Sequence, residues 1–380
     1  MIEKIHIQNF KSIYDLELEV GRVNLFIGEN GSGKSNLLEA LVFVSASESN
    51  MLANEFLVSR GLRVPEPELM RSAFEEEDQN KDIKIFIDYA NKKDIKEEYF
   101  FKNINEVYSK WEVITKSDKN ISEYTDQLNQ IPEEEFFIPE SHADYKLIQL
   151  QLYQKLKLSI KFKNFIIYSP ENTALKIFEK EKQIQPLGIN GEGLLKLLKV
   201  INNYEDKSYI NTIIESLQLF NWFEDITIPA DISSLEDKVI IKDKYLYREF
   251  TQRSANEGFL FILFYITLIV AKETPKAFAI DNIDASLNPK LCTKLMTILT
   301  DLAKKYDKQI FLTTHNPAIL DGINLNDEEQ KLFVVSRNDL GHTQMKQLTV
   351  EDNPVDEDGE ALNLSEAFLR GYLGGLPRGF

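Results

Sequence analysis

Apolar and polar residues alternate through the opening of the chain, by way of Ile5, Ile7, Ile13, Leu16, Leu18 and Val20. A period of two marks half-buried strands, so two are predicted here, joined near Asn9–Lys11. The pattern then changes. An apolar strand at Val23–Ile27 runs straight into a glycine-rich loop, and Asn36 to Val44 follows as a helix burying Leu37, Leu38, Leu41 and Val42. Further strands are predicted at Ile83–Tyr89 and Glu98–Phe101. From 103 to 163 the chain turns charged and locally helical, with Tyr145, Ile148, Leu152 and Leu156 at helical spacing, and reads as an inserted lid or arm. No heptad pattern is sustained there, so a long coiled coil is not expected.

Strand–helix alternation returns in the second half. Phe165–Tyr168 reads as a strand, Gly191–Asn202 as a helix after a turn at Gly188–Asn190, and Val239–Phe250 as a hairpin turning at Lys242–Lys244. Ala255–Ala271 is a very apolar helix, and the buried strands Ala277–Ile280 and Ile310–Thr313 flank a helix at Pro289–Lys305. Such alternation predicts an α/β fold whose mixed sheet has a parallel core covered on both faces. Residues 1–102 and 164–350 would be the two parts of one head, 103–163 a helical insertion, and 351–380 an acidic linker with a C-terminal tail.

Composition narrows the class. At 380 residues the chain can hold two domains, or one large domain with an insertion. A single cysteine, Cys292, excludes a disulfide framework and fits a reducing cytosol. No export signal is visible, and the longest apolar run, Phe259 to Ala271, is shorter than the ~20 residues of a membrane span. The expectation is a soluble cytoplasmic protein without a membrane partner. A net charge of −17 argues against wholesale coating of nucleic acid, yet a local basic groove stays open because 44 lysines and arginines remain to be placed.

Gly28-Glu29-Asn30-Gly31-Ser32-Gly33-Lys34-Ser35 satisfies GxxxxGK[ST] and lies between an apolar strand and a helix, the context the motif requires. The glycines let backbone N–H groups turn inward as an anion nest, and the helix that follows points its positive end at the phosphates. ATP is the expected ligand, lined by Asn30, Gly31, Ser32, Gly33, Lys34, Ser35 and Asn36. Lys34 would neutralise the β- and γ-phosphates and Ser35 would hold Mg²⁺. Asp281, ending the apolar strand Ala277–Ile280, stands where the metal needs a second protein anchor. The plainer alternative for Asp281 is a helix cap.

The order of motifs is similar to one family. IHIQNFKSI…VNLFIGENGSGKSNLLEAL resembles the N-terminus of the RecF, SMC and OLD-like branch of ABC-type ATPases (AAA_21/AAA_15). Asp281-Asn282-Ile283-Asp284-Ala285-Ser286-Leu287-Asn288 resembles the DEIDAALD segment of SMC-type members, and Phe311-Leu312-Thr313-Thr314-His315-Asn316-Pro317 their switch-histidine segment. Ser254-Ala255-Asn256-Glu257-Gly258 sits where the family signature belongs, without its usual SGGE order, and Gly191-Glu192-Gly193-Leu194 resembles a segment of OLD-like members. The likeness covers roughly residues 1–90 and 165–320. It implies that Asp281 anchors Mg²⁺ and that His315 contacts the γ-phosphate. It also implies that Ser254 and Gly258 reach ATP held by a second copy, in a homodimer or higher oligomer joined through ATP. The ordinary alternatives are a core or capping histidine and a plain helix start.

Two departures from the family bear on chemistry. Asn282 stands where the family's water-polarising glutamate belongs, and an amide can orient water but cannot take its proton. Asn288 replaces the usual aspartate of the dimer-contact loop. Slow hydrolysis and a long-lived ATP state are expected, with Asp284 as base only if its loop bends it toward the γ-phosphate.

The wording IDN…SLNPKLC also looks like the ATPases of Septu-type defence systems, which act with an HNH nuclease. The leading expectation is therefore an ATPase of prokaryotic antiviral defence that regulates a separate effector, a nuclease. After His315 the remaining chain lacks the spaced acidic pattern of a Toprim nuclease. The tail Leu362–Phe380 would either grip that partner or fold back on its own domain. The alternative is a RecF-like DNA repair ATPase clamping duplex DNA. Its candidate contacts are Lys92, Lys93, Lys96, Lys102 and Lys110, which alternate with acids as a solvated face would. His6, His142 and His342 are isolated and assigned no metal, and Cys292, Trp111 and Trp222 are read as packing residues.

Overall fold

The computed structural model describes residues 1–89, 96–106, 109–117, 162, 164–178, 183–229, 238–355 and 361–376. The opening alternation becomes β1 (Ile2–Phe10) and β2 (Ile13–Glu19), paired antiparallel with Ile5 opposite Leu18 and Ile7 opposite Leu16. With β4 (Ile83–Tyr89), β5 (Lys96–Lys102) and β6 (Glu112–Ser117) they form an antiparallel sheet in the order β2-β1-β4-β5-β6. The larger sheet takes β3 (Val23–Gly28), β7 (Ile167–Tyr168), β11 (Ala277–Ile280), β12 (Gln309–Thr314), β13 (Gln330–Arg337) and β14 (Thr343–Leu348) in the order β14-β13-β3-β12-β11-β7. Every neighbouring pair in it is parallel except β13–β14.

Helix α1 (Lys34–Glu48) lies between the two sheets, and Leu37 through Ala46 are all buried. Apolar residues all round a helix are what such a position demands. Two short helices, α2 (Asn54–Ser59) and α3 (Pro67–Met70), follow it. The opposite face of the larger sheet is covered by α4 (Asn172–Leu175), α5 (Leu194–Asn202), α6 (Ser208–Leu217), α7 (Glu257–Val270) and α8 (Pro289–Lys305). Strand β11 shows the division in four residues. Small Ala277 and Ala279 face the layer of α1, while Phe278 and Ile280 face the layer of α7. A small third sheet, β10-β9-β8, is built from β8 (Phe223–Thr227), β9 (Ile240–Asp243) and β10 (Phe250–Thr251). Among the described residues no helix is long and apolar enough to cross a membrane.

Several expectations need correcting. The described start of the supposed helical insertion is a strand: Glu112–Ser117 pairs with β5 because Val113 and the buried Trp111 extend that sheet's apolar edge. All of 118–161, including the Tyr145–Leu156 stripe and His142, lies outside the described residues, as do Lys92 and Lys93. The hairpin of β9 and β10 turns not at Lys242–Lys244 but over 244–249, since Phe250 pairs with Ile241. The sequence pattern does not predict strands β8, β13 and β14 or helix α6.

The tail folds back. In α9 (Leu364–Leu369) and the turn after it, Leu364, Ala367, Phe368 and Leu373 join the core, and Ser365 bonds Asp321 through both its N–H and its hydroxyl. These apolar side chains are therefore spent on the protein's own domain and are not a free grip for a partner.

Candidate functional site

Strands β3, β12 and β11 are parallel neighbours, so their C-terminal ends share one edge of the sheet. That edge is where parallel α/β sheets place ligands. It carries the loop 28–33 after β3, Thr314–His315 after β12, and Asp281 after β11. The ends of β3 and β11 are two strand spacings apart, about 10 Å. The first turn of α1 spans the gap, and the Ser35 Oγ lies 3.4 Å from both carboxylate oxygens of Asp281.

The loop has the geometry of an anion nest. Gly31 and Gly33 have φ of 78° and 107°, a region where a side chain would be strained. Gly33 is also the left-handed residue from which α1 departs, and α1 has no acidic residue in its first turn and no side-chain cap. Its N-terminal N–H groups and positive dipole end are thus left for a ligand. Lys34 folds back, donating from Nζ to the carbonyls of Gly28 and Glu29 at 2.8 Å each. Burial lowers its pKa to about 8, against the pull of Asp281, Glu29 and Asp284.

The residues present fit a magnesium-bearing triphosphate on two observations. The Ser32 Oγ is buried without a hydrogen-bond partner among the described residues, an orphan that a phosphate oxygen would satisfy. Ser35 and Asp281 are a hard-oxygen pair separated by little more than the roughly 3 Å between adjacent ligands of an octahedral Mg²⁺. Among the described residues no group of three or more His, Cys, Asp or Glu side chains gathers into a metal site. A magnesium carried by phosphates needs only one or two carboxylates.

The other predicted residues divide. Thr313 donates its hydroxyl to Asp281 and receives the N–H of Asn282 at 2.9 Å, so β12 fixes both sides of the carboxylate strand's end. Asp284 accepts from the Thr314 hydroxyl at 2.6 Å and, more weakly, from the His315 N–H at 3.4 Å. Burial first, and the Lys34 ammonium second, hold His315 below the usual imidazole range, against Asp284 and the Gly28 carbonyl. Asn282 sits in the left-handed region, φ 56°, with its side chain exposed.

Ser254 and Gly258 are elsewhere. Ser254 is exposed in a short turn, and Asn256, not Ser254, caps α7 by accepting the Phe259 N–H at 2.8 Å. Gly258 packs against Ser286 and Leu287 of the loop that follows Asp281. Neither bonds residues 28–36 among the described residues. Asn288 caps α8, accepting from the Leu291 N–H at 3.0 Å. Cys292 is core, and burial pushes its thiol up to about 11. His6 pairs with Asp15, and His342 stacks on Tyr14 at 4.6 Å. Trp111 and Trp222 pack against Phe43 and Phe259.

Sequence reading missed one component. Beside the loop opens a cleft of about 600 Å³ lined by Lys11, Ser12, Asn36, Arg63, Phe74 and Arg337 among others. Two of its cations are held from beneath by Glu39, which is 1% exposed and accepts from Lys11 Nζ at 2.5 Å and Arg63 Nε at 2.6 Å. The signal was present: an acid inside the otherwise apolar run Leu37–Val44 must have a buried partner.

Comparison with known proteins agrees with this geometry. The fold is that of an SMC head. It is similar to the SmcHead crystallised with the C-winged helix domain of ScpA, at 15% identity over 92% of this chain and 98% of that one, TM-score 0.58. A second match is an Smc head with an extended coiled coil, bound to the C-terminal domain of ScpA derived from Pyrococcus furiosus, at 12% identity, 92% and 96% coverage and TM-score 0.50.

Residues 23–321, well over half the chain, match the family AAA_21, described as "AAA domain, putative AbiEii toxin, Type IV TA system", and the chain belongs to that family. Among curated relatives, an uncharacterised Methanocaldococcus jannaschii protein is 46% identical over 67 residues, 16% of this chain and 31% of that protein. The RecF DNA replication and repair proteins of Listeria welshimeri and Porphyromonas gingivalis are 42% and 43% identical over 55 and 61 residues, 14% and 16% of this chain and 15% and 17% of theirs. The matched stretches thus span less than a third of those relatives.

Proposed function

We propose that this chain binds MgATP at the loop 28–35, hydrolyses it slowly, pairs with a second copy around the nucleotide, and through that pairing regulates a separate effector. The observation that carries the reading is the approach of Ser35 to Asp281 beside a phosphate loop with an orphaned Ser32 hydroxyl. When bound, Mg²⁺ would supply charge neutralisation between the phosphates. Ser35 and Asp281 would hold it, and Lys34 would swing from the Gly28 and Glu29 carbonyls onto the β- and γ-phosphates.

His315, on the same edge as Lys34, suits a hydrogen bond to a γ-phosphate oxygen. Asn282 can orient a water without accepting its proton. Asp284 follows Asn282 by two residues, and its bond from Thr314 ties it to β12. The Ser254 and Gly258 turn, exposed and packed on the loop after Asp281, suits ATP carried by a second copy.

The defence reading, with a nuclease effector, draws support from the family's description as a putative toxin of a Type IV system and from the wording of Asp281–Cys292. Titrating the purified chain with MgATP, and comparing turnover with that of Asp281→Asn, tests the core of the proposal. Tight magnesium-dependent binding with slow turnover lost in the variant is expected. Magnesium-independent binding would sink it. For the effector, the protein that co-purifies in MgATP but not without it is the readout.

A RecF-like DNA clamp is the second reading, favoured by the RecF matches. Steeply salt-dependent affinity for duplex DNA without any partner would select it. Two of its candidate lysines are already occupied, Lys102 near Asp82 at 3.7 Å and Lys96 over the Phe86 ring.

A further inference from the structure

The hairpin of β13 and β14 grips the phosphate loop through two side chains. Arg337, ending β13, donates from Nε to the Gly31 carbonyl at 2.8 Å. Thr343, opening β14, donates its hydroxyl to the Ser32 carbonyl at 2.9 Å. Two consecutive loop carbonyls are thereby drawn toward one hairpin. In a trans peptide the C=O and the following N–H point opposite ways. Pulling these carbonyls outward therefore turns the N–H groups of Ser32 and Gly33 away from the hairpin, the sense an anion nest requires. Among the described residues, only a long 3.3 Å turn bond from Ser32 N–H to the Glu29 carbonyl competes with it.

The hydrogens in this brace can be assigned. A carbonyl only accepts, so the single Thr343 hydroxyl hydrogen goes to Ser32. Ser12 Oγ, 2.7 Å from Thr343 Oγ1, must then donate to it, and in turn receives the Asn36 amide at 2.6 Å. A one-way relay, Asn36 to Ser12 to Thr343 to the Ser32 carbonyl, ties the first turn of α1, the β1–β2 turn and β14 to the loop. A further backbone bond, Thr343 N–H to the Ser12 carbonyl at 2.8 Å, fixes the register. Gly33 leaves the room: a Cβ there would stand 2.0 Å from Thr343 Oγ1 and 2.8 Å from Ser12 Oγ.

We infer that Thr343, with Arg337, is a positioning residue for the phosphate-binding amides, so that the β13–β14 hairpin sets nucleotide affinity. Thr343 is 2% exposed and acts through the Ser32 carbonyl, not by touching the ligand. The inference rests on the reading of the loop as a nucleotide site.

Calorimetric titration with MgATP of the wild type, Thr343→Val, Thr343→Ser, Arg337→Gln and Lys34→Ala tests it, beside melting curves without nucleotide. Thr343→Val keeps the shape and loses the hydroxyl. Its affinity is expected to fall about tenfold while its nucleotide-free melting temperature stays near wild type, and Thr343→Ser should restore binding to within about twofold. If Thr343→Val melts early, the exposed Arg337→Gln carries the test, with a loss of about threefold expected. Variants at Thr343 and Arg337 that bind like wild type, while Lys34→Ala does not bind, would overturn the inference alone. A wild type that fails to bind MgATP would overturn the nucleotide reading and this inference with it.

Discussion

The two halves of the proposed ATP site are built in opposite ways. The phosphate loop and its surroundings are tied on every side. Lys34 holds Gly28 and Glu29, Arg337 and Thr343 hold Gly31 and Ser32, and Glu39 anchors the neighbouring cations. The turn Ser254–Gly258 and the loop Asn282–Asn288 instead show exposed polar side chains at Ser254, Asn256, Asn282 and Ser286. A surface already arranged for phosphate gains affinity because little ordering remains to be done on binding. A surface whose polar groups stay in water loses nothing while it waits for a partner. On the proposed reading, one chain suffices to hold ATP and two are needed to act on it.

The contrast breaks first at Lys34. Lys34→Ala should weaken MgATP binding by about 100-fold or more, read by calorimetry, because a charge-assisted contact to two phosphates is lost. Retained binding would mean that the loop is not the nucleotide site. Next comes Asp281→Asn, expected to weaken MgATP by about tenfold while leaving metal-free ATP unchanged. An equal loss with and without magnesium would remove Asp281 from the metal.

Glu39→Gln sharpens the claim that the cradle is braced from below. It leaves Lys11 and Arg63 over a neutral amide and should destabilise the nucleotide-free fold by roughly 2–3 kcal/mol in denaturant titration. On the exposed side the expected effects reverse in character. Asn282→Glu should raise turnover at least about tenfold by restoring a proton acceptor, with affinity unchanged. Brisk wild-type turnover that survives Asp284→Ala would instead show that neither residue limits the rate. The smallest effect on binding belongs to Ser254→Ala: affinity within about twofold of wild type, the loss appearing only in assembly.

How much of this could be read from residues alone follows the same contrast. The loop, Ser35 and Asp281 were legible because the chemistry forces particular residue types at fixed spacing, and β3, β11 and α8 because buried elements have clear periodicity. Strands β13 and β14 were not. Their outward residues Lys331, Gln344, Lys346 and Gln347 dilute the alternation. Strand β13 is specified by pairing with β3, a contact across some 300 residues of sequence, and β14 by pairing with β13. Hence Arg337 and Thr343 stayed invisible until the fold placed them against Gly31 and Ser32. The tail stayed ambiguous for the opposite reason. Leu364, Phe368 and Leu373 are apolar whether they grip a partner or their own core, and only burial tells the two apart. Ser254 is exposed, and the role proposed for it requires a second chain.

That last point is the account's centre, and the mass of the particle in solution tests it most directly. Sedimentation of the wild type with MgATP should show a species twice the mass found without nucleotide, absent for Ser254→Ala at the same ATP occupancy. A wild type that binds MgATP fully and keeps its nucleotide-free mass would contradict the account.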